Sequence, residues 1–242
     1  MSWQLPRSAP DLVVVEPDAF ASSAARRLGL EIRSVLESEE RCSIALAGGS
    51  TPRPVYRRLA DELPGREHWS RIDVFFGDER CVPPDDPASN YRTAREALLD
   101  RVPIAPAQVH RMEGERADRD AAARAYEAIL PVRLDLLVLG LGADGHTASL
   151  FPGAPALAET RRRVLPVRGT PAAPLDRLTI TPPVILDARL TLVLVAGEDK
   201  AEALARAIEG QYAPENTPGQ LARAGLWLAD SAAAARLEAR RR

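Results

Sequence analysis

Residues 134–153 read LDLLVLGLGADGHTASLFPG, and the fold class turns on how this stretch changes character partway along. Leu136, Leu137, Val138 and Leu139 form a short unbroken apolar run, the pattern of a parallel strand buried on both faces. The run stops at Gly140. Gly140, Gly142 and Gly145 let the backbone turn tightly and approach another group closely, and Asp144, His146, Thr147 and Ser149 sit in or just after that turn. A loop at the carboxyl end of a buried parallel strand is where open α/β sheets place their ligands. Spacing alone admits a second reading, a tight turn whose Asp and His cap the next short helix.

Outward from this stretch, strands and helices alternate along the whole chain. A strand at 12–15 precedes a helix over 18–37, whose apolar face carries Ala21, Ala24, Leu28, Ile32 and Leu36. A strand at 43–47 runs into Gly48, Gly49, Ser50, Thr51 and Pro52, then into a helix carrying Val55, Tyr56 and Leu59. Proline at the first helical position with threonine before it as a cap is a helix-start signal. A third apolar run at 72–76 leads into Gly77, Asp78, Glu79, Arg80 and a long polar loop that ends at Asn90, before a helix to about Asp100. A short strand at 109–112 and a helix at 121–130 precede the central strand. Strands at 164–167, 178–181 (with Arg177 at its start) and 190–195 follow it, then Gly197 and a helix containing Lys200, Leu204 and Ile208. The tail holds a short strand at 226–228 and an Ala-rich helix ending at Arg240–Arg242. No repeat and no Gly/Ser-rich linker divides residues 1–242, so one domain is expected. Its class is α/β, an open, mostly parallel sheet flanked by helices on both faces.

The turn at 48–52 places free backbone N–H groups and the positive end of a helix dipole at one point, which suits a single phosphate. It matches neither the dinucleotide fingerprint nor the Walker pattern, so it implies no nucleotide. A plain strand-to-helix turn with a good cap also fits it. The charged turn after residue 76, taken alone, reads as a solvated rim, but it opens a long polar loop, and long irregular loops in compact domains are usually functional or mobile.

Composition narrows the classes. At 242 residues, 45% hydrophobic and 27% charged, this is an ordinary globular chain. A net charge of -2 leaves no basic excess for nucleic acid or anionic lipid, and no apolar run reads as a membrane segment. The amino terminus, MSWQLPRSAP, resembles no secretory signal. Cys42 and Cys81 suit two unpaired thiols in a reducing, cytoplasmic compartment. Lys200 is the sole lysine among 32 basic residues, either a surface charge or a position that wants a compact, mobile ammonium.

LAGGSTP at 46–52, FFGDERCVP at 75–83, SNY at 89–91, LGLGADGHTASLFPG at 139–153, RLTITPPVI at 177–185 and GEDKAEAL at 197–204 together resemble the 6-phosphogluconolactonase family. That family belongs to a wider group with glucosamine-6-phosphate deaminase and ribose-5-phosphate isomerase. The blocks span nearly the whole chain in the family's order. The resemblance implies a modified Rossmann-like fold of the sugar-phosphate isomerase/deaminase type. It also implies hydrolysis of a small-molecule sugar-phosphate lactone without metal or organic cofactor.

Under that resemblance His146 is the general base, since an imidazole with a reference pKa of about 6.5 is largely neutral at cytoplasmic pH. Asp144 would fix its tautomer, and Arg80 would stabilise the oxyanion. Asp78 and Asn90 would hold sugar hydroxyls. Gly48, Gly49, Ser50 and Thr51, with Arg177 and Lys200, would hold the phosphate. No GxSxG elbow occurs, and neither cysteine sits in a known thiol-nucleophile motif, so direct attack by water is preferred to an acyl-enzyme. His68, His110 and His146 are far apart in sequence with no close ligand pair, which argues against a metal site; the first two read as structural or exposed. Two alternatives stand beside this reading. A deaminase of the same group would carry a glutamate five residues after the histidine, where this chain has Phe151. A catalytically silent sugar-phosphate sensor would keep the phosphate turn without needing the base. Oligomeric state is not legible.

Overall fold

The computed structural model describes residues 10–63, 65–171 and 173–238. Its strands are β1 (Asp11–Val15), β2 (Cys42–Leu46), β3 (Ile72–Phe76), β4 (Asp78–Arg80), β5 (Leu136–Gly140), β6 (Val164–Val167), β7 (Arg177–Ile180), β8 (Leu190–Val195) and β9 (Leu226–Asp230). The helices are α1 (Pro17–Ser38), α2 (Pro52–Glu62), α3 (Arg66–Trp69), α4 (Asn90–Ala97), α5 (Arg119–Ile129), α6 (Pro182–Asp187) and α7 (Ala201–Ile208). Six strands form one parallel sheet in the order β1-β9-β8-β5-β2-β3.

Because side chains alternate across a strand, each apolar run feeds two cores. Ala45, Phe75, Leu137, Leu139, Val193 and Trp227 pack on the face covered by α5, α6 and α7. Ile44, Leu46, Val74, Phe76, Leu136, Val138, Leu192 and Leu194 pack on the other, beneath α1, α2 and α4. Burial on both faces explains why these strands read as continuous rather than alternating apolar runs.

The sheet reverses direction between β2 and β5. The chain leaves β2 toward β3 on one side and leaves β5 toward β8 on the other, while β2 and β5 are themselves paired. Their carboxyl ends therefore flank a topological switch point, where the two chains diverge and leave a crevice. Two buried tyrosines pin the strand ends that lead there. Tyr56 Oη of α2 donates to the carbonyl of Ala47 at 2.6 Å, and Tyr126 Oη of α5 takes the amide of Phe76 at 2.7 Å.

Several elements differ from the sequence expectations. Asp78–Arg80, read as the opening of a loop, is a strand of a second, antiparallel sheet ordered β4-β7-β6. Gly77 makes the step: its amide bonds Leu46 of the main sheet at 2.9 Å, and its carbonyl accepts from Ile180 of the second sheet at 2.9 Å. The strand expected at 109–112 is reduced to a bridge between Val74 and Val109. The helix expected to reach Asp100 ends at Ala97, before a 3-10 turn at Leu99–Arg101. Thr51 is already helical, with φ -64 and ψ -49, and its hydroxyl makes no capping bond; prolines at 52 and 54 define this helix start. The Ala-rich tail forms turns over 231–236, because burial of Ala233, Ala234 and Leu237 in the core outweighs alanine's helix propensity. Its end at 240–242 and the amino-terminal residues 1–9 lie outside the described residues. No helix among the described residues is long and apolar enough to cross a membrane.

Candidate active site

A cleft of about 180 Å³ opens at the switch point. It is lined by Gly48, Gly49, Ser50 and Thr51 after β2, Asp78 and Arg80 of β4, and Gly142 and His146 after β5. Arg177 of β7 and Lys200 complete the set. Nine of the eleven site residues expected from the sequence thus meet in one place, although they come from five segments of the chain. Asp144 and Asn90 stand just behind the lining.

His146 is held from three sides. Its Nδ1 lies 2.5 Å from Asp144 Oδ1, which also accepts the backbone N–H of His146 at 3.0 Å. The ring packs against Phe151, centroids 4.6 Å apart and tilted by 34°. Gly142 passes close on another side: a Cβ there would fall 2.0 Å from Nδ1 and 2.7 Å from Asp144 Oδ1. Glycine at 142 is therefore required by the His146 ring itself, while Gly145, at φ +95, is required by the turn. Burial, the largest effect on Asp144, pushes its pKa up, but the two bonds from His146 and the imidazole's charge outweigh it. The carboxyl ends below the usual carboxylate range and stays anionic.

Asp78 is buried with both oxygens engaged: Oδ1 accepts from Asn90 Nδ2 at 2.9 Å and Oδ2 from Ser149 Oγ at 2.6 Å. Asn90 is only 1% exposed and lies against Gly48, where an added Cβ would sit 1.7 Å from its Oδ1. Asn90 is therefore placed to orient Asp78 and to require glycine at 48, and its buried Oδ1, beside that glycine, has no partner among the described residues. Ser149, fully buried, was not singled out from sequence; its hydroxyl reveals its purpose only through contact with Asp78, 71 residues away.

Arg80 and Arg177 are directly opposite each other in the β4–β7 pair. Arg80 Nη1 donates to the carbonyl of Ala88 at 2.8 Å. Arg177 is buried, with its guanidinium 5.7 Å from the centre of the Phe151 ring. Burial first, and then the charge of Arg80, pull the pKa of Arg177 below its ordinary value. Phe151 thus forms a shared floor under His146 and Arg177. Two like charges side by side raise the local potential and favour an anion between or above them.

Lys200 reaches the cleft from a 3-10 turn, Glu198–Lys200, that leads into α7. Gly197, at φ +98, opens that turn, and its amide donates to Asp230 Oδ1 and Oδ2 at 3.2 and 3.0 Å. Lys200 Nζ also pairs with the exposed Asp199 at 3.0 Å. Opposite it, the turn at 48–51 meets the start of α2. With prolines at 52 and 54, the backbone donors available to an anion there come from Gly49, Ser50, Thr51 and Arg53. Ala148, also in the lining, holds φ +47, a strained value for alanine within the turn that carries His146. Among the described residues, no three His, Cys, Asp or Glu side chains converge as a metal site would require.

An imidazole with an oriented Nδ1 thus stands in one cleft with Arg80, Arg177 and Lys200 beside a glycine turn at a helix start, an arrangement suited to acid–base work on an anionic substrate. Residues 15–228 match the family of glucosamine-6-phosphate isomerases and 6-phosphogluconolactonases, and the chain belongs to it. Within that family, the 6-phosphogluconolactonase of Streptomyces coelicolor is 40% identical, the match covering 94% of this chain and 95% of the relative. That of Mycobacterium leprae is 38% identical, covering 95% and 99%. The solved 6-phosphogluconolactonase of Trypanosoma brucei superposes with a TM-score of 0.83 at 30% identity, covering 94% of this chain and 98% of that one. A monomeric glucosamine-6-phosphate deaminase superposes with a TM-score of 0.80 at 24% identity, covering 93% and 99%, which establishes a shared fold alone.

Proposed function

We propose that the protein hydrolyses 6-phospho-D-glucono-1,5-lactone to 6-phospho-D-gluconate, the second step of the oxidative pentose phosphate pathway, by general-base attack of water. The observation that carries this reading is the Asp144–His146 pair standing in one cleft with Arg80, Arg177, Lys200 and the turn at 48–51. With Nδ1–H donated to Asp144, the lone pair of Nε2 is free to take a proton from water. The resulting hydroxide adds to the lactone carbonyl, and Arg80 balances the oxyanion that develops. Collapse of the tetrahedral intermediate breaks the bond from C1 to the ring oxygen. The ring oxygen takes the proton back from His146 and becomes the 5-hydroxyl, and the new C1 carboxylic acid then releases its proton to solvent, leaving a carboxylate beside Arg80. Water is the only co-reactant this balance requires. Asp78, fixed by Asn90 and Ser149, accepts hydrogen bonds from sugar hydroxyls.

Phe151 favours this reading over deamination. Under the family resemblance a deaminase places a glutamate there to work with the histidine, and a phenyl ring packed on His146 and Arg177 offers no carboxylate. The free thiols of Cys42 and Cys81 suit a reducing cytoplasm.

Lys200 and the turn at 48–51 anchor the phosphate, remote from the carbonyl. Lys200→Ala therefore raises KM for the phosphorylated lactone about ten-fold to a hundred-fold, the cost of one charge-assisted contact of about 1.5–3 kcal/mol, with less effect on kcat. Hydrolysis of non-phosphorylated gluconolactone should be nearly indifferent to the change. An unchanged KM, or equal harm to both substrates, would remove Lys200 from the anchor.

A further inference from the structure

Glu79 is a buried carboxylate that the chemistry above leaves unused. It lies between Asp78 and Arg80 on β4 and is only 3% exposed. Successive side chains on a strand face opposite ways, so its neighbours line the cleft while Glu79 is turned away from it. Its Oε1 accepts the amides of Arg80 and Asn90, both at 2.7 Å. Its Oε2 accepts the amide of Tyr91 at 2.8 Å and the hydroxyl of Ser89 at 3.0 Å. These four partners are three backbone N–H groups and one hydroxyl, and none is a cation. Burial pushes the pKa of this carboxyl up against the four bonds, so placing a charge here carries a cost that packing alone does not explain.

Three of the four bonds, from Ser89, Asn90 and Tyr91, close the loop at 81–89 by tying β4 to the first turn of α4, where helix-start amides favour an anion, while the fourth, from Arg80, stays within β4. Ser89 serves both sides, capping α4 by accepting from the Arg92 amide at 3.1 Å while donating to Glu79. The two ends of the clamp are the supports of the site. Arg80 carries the guanidinium held by Ala88 of that loop, and Asn90 carries the amide that orients Asp78. The turn at 48–51 and Lys200 hang on β2 and β8 instead and take no bond from Glu79.

We propose that Glu79 is a positioning residue: its carboxylate clamps β4 to the start of α4 and so sets Arg80 and Asp78 for the chemical step. The activity arm of the test rests on the lactonase reading; the amide-exchange arm does not. Glu79→Gln keeps the volume, yet whichever way its amide is turned, at least one backbone N–H faces an N–H. In the folded variant kcat on fresh phosphorylated lactone should fall about ten-fold to a hundred-fold, the scale of a misplacement near 1 Å, while KM stays within about three-fold because the phosphate anchor is untouched. On an Arg80→Ala background the same change should cost clearly less than on the wild type, because one of the two groups it positions is gone and only the part carried through Asn90 and Asp78 remains. Glu79→Asp, which keeps the charge with a shorter reach, should recover part of kcat, and it supplies the measurement if Glu79→Gln does not fold. Hydrogen exchange at the amides of Arg80, Asn90 and Tyr91 should quicken in either variant. A wild-type enzyme inert toward the lactone would overturn the lactonase reading, leaving the clamp to be judged by exchange. Unchanged exchange at those amides overturns the clamp. Unchanged kcat, or a loss on the Arg80→Ala background as large as on the wild type, overturns the positioning role.

Discussion

His146 depends on a neighbour with no side chain. A methyl group at residue 142 would occupy the space of the imidazole, so Gly142→Ala should displace the ring while leaving the backbone, which is not in the left-handed region there, undisturbed. The expected result is a kcat lowered by about 10² or more, the scale of a lost general base, with little change in melting temperature; near-normal turnover would mean that the ring has another place to work from. Asp144 gives a prediction in pH. Its carboxyl titrates lower in the folded protein than in the unfolded chain, so its contribution to stability is complete above the unfolded value of about 4 and is lost as pH falls through the lower folded one. Denaturant unfolding of wild type and Asp144→Asn should differ by a constant amount above about pH 5 and converge in stronger acid. A difference that grew on acidification would contradict that sign. His146, Asp144 and Arg80 were legible in the sequence because glycines and charges break an apolar run there. Ser149 and Glu79 were not, since a buried hydroxyl or carboxylate discloses its role only through partners distant in sequence or across a loop.

Among the elements, the turn that presents Lys200 shows how an anchor is built. Asp230, at the end of β9, takes the amides of Gly197 and Ala233, the latter at 2.7 Å, and so fixes the origin of the turn from the strand beside β8. Asp230→Ala leaves those two amides without their acceptor, at about 1–3 kcal/mol each, and frees the Gly197 turn. We expect a lower melting temperature and a KM for the phosphorylated lactone raised in the same direction as by Lys200→Ala. A stability loss with KM unchanged would show that Lys200 is placed independently of Asp230. The parallel strands were legible because each is an apolar run bounded by glycine or charge. The strand Asp78–Arg80 was not, because three charged residues carry no alternation; its partner, β7, lies about a hundred residues downstream, and only the departure of the chain at Gly77 brings them together. The Ala-rich tail misled for the opposite reason, a strong local propensity overridden by burial.

At the scale of the molecule, a sheet order of β1-β9-β8-β5-β2-β3 does what no single segment does. Its winding reverses between β2 and β5 and gathers the glycine turn at 48–51, His146 and the cations at one crevice. The alternation of elements made legible that each of those turns stands at a strand's carboxyl end. The order of the strands was not legible, because the apolar runs are alike enough to pair in several ways, and only tertiary packing selects one. The same fold also carries a deaminase, so chemistry has to be argued from the site and not from the architecture. The most direct test is the initial rate of hydrolysis of freshly prepared 6-phospho-D-glucono-1,5-lactone, measured against its spontaneous opening, for the wild-type protein and for His146→Asn. Wild type should consume the lactone well above background, and the variant, folded but without a base, should be slower by about 10²–10⁴. A wild-type rate equal to background, or one that His146→Asn leaves unchanged, would contradict the account.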